Sequence, residues 1–133
     1  MIVDSSAIVA ILLKEAGWEQ LLEPIVTSEV VPGVGAPTLV ESGIVLTSRL
    51  GVAGKSLLAR FVFESGMREI ALTGSHWSVA VDAFLRFGKG RHPASLNFGD
   101  CLTYATASVA AEPLLCVGDD FPQTDLTLVP VVR

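Results

Sequence analysis

The chain is 133 residues long, 50% hydrophobic and 17% charged, with a formal net charge of −5. With its 12 glycines counted, about 58% of it is apolar, above the roughly 45–50% of an average soluble domain; this excludes intrinsic disorder and implies a sheet buried on both faces, an apolar partner surface, or both. A chain of this size buries a core without disulfides or structural metal, and its acidic balance gives no broad basic footprint of the kind that nucleic acid normally demands.

Met1–Val3 reads as a short buried strand, with Ser5 as the N-cap of a helix that is apolar from Ala7 to Leu13 and closed by Lys14 and Gly17. A second helix runs from Trp18 to about Glu29, and Val30–Ala36 contains a strand. Thr38 caps a helix reaching to about Leu50, with Leu39, Ile44 and Leu46 as apolar positions. Gly51 and Gly54 break it from a helix over Lys55–Glu64 whose Leu57, Leu58, Phe61 and Val62 have core spacing. Ile70–Leu72 is a short strand. Ser75–Phe87 reads as a helix with Trp77, Val81, Phe84 and Leu85 on its inner side, followed by a basic loop over Gly88–Pro93 and a helix from Asn97 to about Ala111. Leu114–Val117 is a strand ending at Gly118-Asp119-Asp120, and Leu126–Val132 is a final strand. Strands alternating with helices predict an α/β fold, one domain over 1–133, built on a parallel sheet with helices on both faces.

The longest stretches free of Asp, Glu, Lys and Arg, such as Ile70–Val81, hold about a dozen residues, where a membrane span needs about 20. The N-terminus lacks the basic region of a signal peptide. Cys101 and Cys116 form neither a zinc spacing nor a disulfide framework and read as core residues in a reducing compartment. The expected location is the cytoplasm.

Open parallel sheets bind ligands beyond the carboxyl ends of their strands, where strand order reverses. Asp4 ends the first strand and Asp119 or Asp120 the fourth. Asp100 sits in the first turn of the helix before that strand, where the helix dipole favours a carboxylate by about 0.3–1 kcal/mol. Glu41 lies near the start of its own helix. Any one of these acids serves equally well as a cap. As a set they are distinguished by their surroundings: Ile2-Val3 and Ala7-Ile8 flank Asp4, Phe98 and Cys101-Leu102 flank Asp100, and no Lys or Arg stands close in sequence to Asp4, Glu41 or Asp100. A carboxylate in such company is costly to bury unless paired or bound to metal. An all-oxygen site suits Mg²⁺ or Mn²⁺. With Asp4, Glu41, Asp100, Asp119 and Asp120 assigned to a metal, the nine remaining acids balance the nine bases. Three of those bases, Arg86, Lys89 and Arg91, cluster as candidates for contacts to a nucleic-acid backbone.

Other chemistry has little support. No phosphate-cradling Gly-Lys-Ser/Thr loop or dinucleotide glycine fingerprint is present, and Gly33-Val34-Gly35 reads as a turn. His76 and His92 form no zinc-like pair, Ser42 and Ser108 lack a nucleophile elbow, and Trp18 and Trp77 read as core or interface residues.

The segments Met1-Ile-Val-Asp4-Ser-Ser, Leu39-Val-Glu41-Ser, Leu96-Asn-Phe-Gly-Asp100-Cys and Gly118-Asp119-Asp120-Phe resemble, in this order, those of the PIN-domain family, and within it the VapC-type ribonuclease toxins of toxin–antitoxin pairs. The resemblance implies a metal-dependent endoribonuclease whose four acids correspond to Asp4, Glu41, Asp100 and one of Asp119 and Asp120, Asp119 being favoured as the first off the strand. It also implies Mg²⁺ or Mn²⁺, an RNA substrate such as tRNA, a VapB-like antitoxin seated near the active site, and a homodimer; the Arg86, Lys89 and Arg91 cluster reads equally as contacts to the RNA backbone or as a solvated loop. A phosphatase of the haloacid-dehalogenase type needs a second Asp at position 6, where Ser6 stands, and a receiver domain needs a lysine near its last strand, which is missing. The remaining rival is a catalytically silent interaction domain that only holds an antitoxin-like partner.

Overall fold

The computed structural model describes residues 1–132. β1 (Ile2–Val3) leads into α1 (Ser5–Leu12) and α2 (Trp18–Thr27), and β2 (Gly33–Gly35) into α3 (Ala36–Leu50) and α4 (Val52–Ser65). β3 (Arg68–Ile70) leads into α5 (Gly74–Phe87) and α6 (Phe98–Ala110), and β4 (Leu114–Leu115) into a turn of 3-10 helix at Phe121–Gln123. The strands are all parallel, in the order β3-β2-β1-β4.

β1 is central, and its two residues face opposite sides, as the two-residue period of a strand dictates. Ile2 joins Ala83, Phe87, Leu96, Tyr104 and Phe121 in the core covered by α5 and α6. Val3 joins Ile8, Ile11, Leu21, Val34, Leu46 and Leu58 in the core covered by α1 to α4. At roughly 1.5–3 kcal/mol for each large aliphatic side chain buried, these two layers hold the sheet between them. The expected α/β class, a parallel sheet with helices on both faces, is the observed one.

Several local expectations are corrected. Asp4, not Ser5, is the N-cap of α1, because its carboxylate is the group that accepts the Ser6 N–H. α3 begins at Ala36 with Pro37 in its first turn, so Thr38 lies inside the helix; its hydroxyl meets that of Thr103 on α6, 3.2 Å away. Gly33–Gly35 is strand β2 rather than a turn. β3 lies two residues earlier than expected, because its rungs on β2 stop at the Gly35–Ile70 pair, where α3 takes over the partner chain. Leu126–Val132 forms no strand: Leu128 makes one isolated bridge to Leu114, and Pro130 has no N–H with which to extend a ladder.

The inner side of α5 is the reverse of the expected one. His76, Ala80, Ala83 and Phe87 are buried, whereas Trp77 is 63% exposed and Val81, Phe84 and Leu85 are also exposed. Small residues at positions 80 and 83 let α5 settle closely on α6, and the large apolar residues are left outside. His76 is a cap, its Nδ1 accepting from the Thr73 N–H and meeting the Thr73 hydroxyl at 2.8 Å.

Gly54 does not interrupt a helix but lies within α4, where a Cβ would come 2.5 Å from the carbonyl carbon and oxygen of Leu46 on α3. The crossing of α3 and α4 therefore depends on a missing side chain. Gly54→Ala is expected to destabilise the fold by about 1–3 kcal/mol through backbone overpacking, despite the better helix propensity of alanine. Urea denaturation of the two proteins checks this; equal or greater stability for the alanine variant contradicts the close crossing.

Candidate active site at the strand ends

From β1 the chain moves outward to β2 and β3, then returns to place β4 on the other side of β1. The reversal opens a crevice beyond the carboxyl ends of β1 and β4, the place where such sheets bind ligands. Asp4 leaves β1 directly into it. This side chain is only 4% exposed, and its Oδ2 accepts from the Ser6 N–H at 3.1 Å and the Ser6 hydroxyl at 2.6 Å. The same hydroxyl accepts from the Val117 N–H at 2.9 Å, so one serine joins the exits of β1 and β4.

Glu41 reaches the site from α3. Its Oε1 accepts from the Ser5 hydroxyl at 2.7 Å. Its Oε2 lies against Gly99 in the first turn of α6, where a Cβ would come within 2.5 Å of it. Next in sequence, Asp100 occupies the third position of α6 in a reciprocal cap: its N–H donates to Asn97 Oδ1 at 2.8 Å and its Oδ2 accepts the Asn97 N–H at 3.0 Å. The Asn97-x-x-Asp100 spacing is legible in the sequence as a capping box. Ser5, Ser6 and Gly99 carry no comparable signal beyond adjacency to the acids.

Burial pushes the Asp100 carboxyl up from 3.8 to about 6 against the hydrogen bond from Asn97, and the charges of Asp4, Asp120 and Glu41 push the same way. Of the 119–120 pair, it is the Asp120 charge that bears on Asp100 in this way. Asp119 and Asp120 are both exposed, and the Asp119 carbonyl oxygen accepts from the Gln123 amide at 2.9 Å. The thiol of Cys116 is pushed up to about 12 by burial, then by Asp4 and Asp100. It stays protonated and cannot serve as a nucleophile near neutral pH.

Among the described residues, the ion pairs join Glu112 to the N-terminus and to Arg68, Arg60 to Glu64, and Arg86 to Asp125. None involves Asp4, Glu41, Asp100, Asp119 or Asp120. The acids meet only hydroxyl and amide donors, so the negative charge of the crevice has no internal counterion. Such an all-oxygen donor set fits a hard divalent cation. No three His, Cys, Asp or Glu side chains among the described residues already stand together as a ligand shell. Like charges with no cation between them repel, and Asp4, Glu41 and Asp100 each have one oxygen on a chain donor and a second without such a bond.

The basic cluster divides. Arg86 is held by Asp125 at 3.1 Å, the Arg91 guanidinium lies 5.4 Å from the Phe84 ring centre, and Lys89 is exposed. Among the described residues neither Lys89 nor Arg91 has an ion pair.

The raised Asp100 carboxyl sets a sign for the pH dependence of the metal-free protein. Between about pH 6 and pH 4 the folded state binds the Asp100 proton more tightly than the unfolded chain, so this group stabilises the fold as pH falls through that window; above it the penalty is fully present. Asp100→Asn is expected to remove the dependence and to raise metal-free stability at pH 7 by about 1 kcal/mol, a figure discounted for the solvent that reaches the half-buried group. Denaturation in EDTA at pH 4.5 and pH 7 measures it, and an unchanged pH slope in the variant refutes it.

Comparison with known proteins agrees with this architecture. The PIN domain family model matches residues 1–126. Ribonuclease VapC36 of Mycobacterium tuberculosis is 46% identical over 132 residues, covering 99% of this chain and 95% of the relative. Ribonuclease VapC of Mycolicibacterium smegmatis is 39% identical over 129 residues, covering 97% and 99%. The crystal structure of Mycobacterium tuberculosis VapC20, a Sarcin-Ricin loop cleaving toxin, is similar with a TM-score of 0.79, covering 96% of this chain and 97% of that one; at 17% identity it speaks for the fold. The chain belongs to the PIN-domain family, on the VapC branch that these relatives represent.

Proposed function

We propose that the chain is a metal-dependent endoribonuclease, the toxin of a toxin–antitoxin pair, and that it hydrolyses RNA phosphodiester bonds in the crevice formed by Asp4, Glu41, Asp100 and Asp120. What supports the reading is that Asp4, Glu41 and Asp100 come from separate elements to the sheet's switch point, with Asp120 following β4, and that none of them has a basic partner among the described residues. VapC ribonucleases of the PIN family are metal-dependent in general, and the oxygen donors here favour Mg²⁺ or Mn²⁺. When bound, such a cation lowers the pKa of a coordinated water and neutralises charge developing on the phosphoryl oxygens.

The chain's own residues do the positioning. Ser6 turns the Asp4 carboxylate, Ser5 turns Glu41, and the Asn97 cap turns Asp100. Because Ser5 and Ser6 donate their protons to carboxylates and Cys116 keeps its own, water is the nucleophile that the site favours. Lys89 and Arg91 supply phosphate contacts at the rim; Arg86 already has a carboxylate partner. A structured RNA such as tRNA is the substrate class we infer.

Two apolar surfaces suit the family's partners. A groove of about 960 Å³ between α3 and α4, lined by Val40, Ile44, Leu58 and Phe63, is continued by a hollow of about 600 Å³ that includes Glu41 and Phe98. An antitoxin segment lying in it would end beside the acids. The exposed α5 face, with Trp77, Val81, Phe84 and Leu85, suits a second copy of the chain.

Asp4→Asn and Asp100→Asn are expected to abolish Mn²⁺-dependent cleavage of total RNA by the purified, partner-free protein while retaining its circular dichroism. Saturating Mn²⁺ should raise the melting temperature of the wild type, by the equivalent of about 2.7 kcal/mol at about a hundredfold excess over Kd, and leave both variants unmoved. Identical melting of the wild type in EDTA and in Mn²⁺ refutes the metal site; retained cation binding without cleavage favours a silent binding domain. In sedimentation velocity the wild type is expected to run as a dimer and Trp77→Glu with Leu85→Arg as a monomer; a monomeric wild type refutes this face as the dimer surface.

A further inference from the structure

Asp120 lies on an exposed connection, yet the residues after it are tightly held. Phe121 is buried in the core covered by α5 and α6. The Asp120 carbonyl accepts from the Gln123 N–H at 3.1 Å, and the Phe121 carbonyl accepts from the Thr124 hydroxyl at 2.7 Å. Asp125 then closes the segment. Its Oδ1 accepts from the Tyr104 hydroxyl at 2.5 Å and its Oδ2 from Arg86 Nη2 at 3.1 Å, while Arg86 Nη1 donates to the Tyr104 oxygen at 3.4 Å. Three side chains from α5, α6 and the segment after the 3-10 turn thus form one closed triangle.

Its placement matters for the site. Tyr104 stands four residues beyond Asp100 on α6, on the same side of the helix. The helix that presents Asp100 therefore also fixes Asp125, five residues after Asp120. The Tyr104 ring lies against Phe87, with centres 5.9 Å apart, and the Arg86 guanidinium is 4.7 Å from the Phe87 ring centre. Burial and the bond to Asp125 push the phenol up to about 12, so it stays a donor at any working pH.

We propose that the Tyr104–Asp125–Arg86 triangle is a clasp that positions the Asp120 carboxylate relative to Asp100, making these three residues positioning residues of the reaction rather than substrate contacts. The inference rests on the metal-site reading above and assigns Arg86 a task inside the fold. Groups that orient metal ligands typically alter metal affinity by about 10- to 100-fold when removed, and the clasp acts on an acid that is otherwise exposed.

The test uses the full chain, with Mn²⁺ alone as the probe and melting temperature as the readout. Tyr104→Phe keeps the ring and loses the hydroxyl; Arg86→Gln, at an exposed position, guards against a folding failure in the first variant. Both are expected to raise the Mn²⁺ concentration giving half the maximal melting shift by about 10-fold, and to slow cleavage of total RNA at limiting Mn²⁺ more than at saturation. In an Asp120→Asn background, Tyr104→Phe should add nothing to the Mn²⁺ requirement, since the carboxylate it positions is gone. Wild-type half-points in both variants, or an equal effect with and without Asp120, overturn the clasp while the metal site stands. A wild type that does not respond to Mn²⁺ overturns the metal reading and the clasp with it.

Discussion

Carboxylates gathered without basic partners in a half-dry crevice repel one another, and much of the local structure around the strand ends is the means of holding them there. A single hydroxyl joins Asp4 to the exit of β4, a second holds Glu41, and a backbone amide holds Asp100. Each of these bonds comes from a neutral donor. A lysine or arginine in any of those places would cancel the charge that attracts a cation, so neutral donors are the ones compatible with both folding and metal binding.

The same groups begin the secondary structure. Asp4 is the N-cap of α1 and Asp100 completes the cap of α6. Both carboxylates lie at helix N-termini, where the peptide dipoles oppose part of the repulsion. Capping occupies one oxygen of each side chain, which lets one residue start a helix and still present an acceptor to the crevice.

This coincidence is why much of the site could be read from the amino-acid order. Asp4 and the 119–120 pair stand out because they follow short apolar strands, and Asp100 because it falls in a first turn among apolar neighbours. Glu41 was legible mainly through its resemblance to a known motif; its proximity to Asp100 depends on Gly99, which nothing in the pattern announces. The inward face of α5 is not legible in the sequence, because hydrophobicity alone cannot tell a buried face from an exposed one: Ala80 and Ala83 pack inward since they are small, leaving Trp77 and Leu85 outside. The apolar tail looks like a strand in sequence yet forms none, because beside a two-residue strand it has room for only one bridge.

Gly99 has a consequence for how such a chain can change over generations. The bare backbone at that point is the space that the Glu41 carboxylate fills. A mutation giving this residue any side chain displaces the glutamate, and it does so at the wall of the hollow that Glu41 and Gly99 line together, while leaving both hydrophobic layers untouched. On the proposed site, one such change would disarm the gene without altering any acid of the crevice.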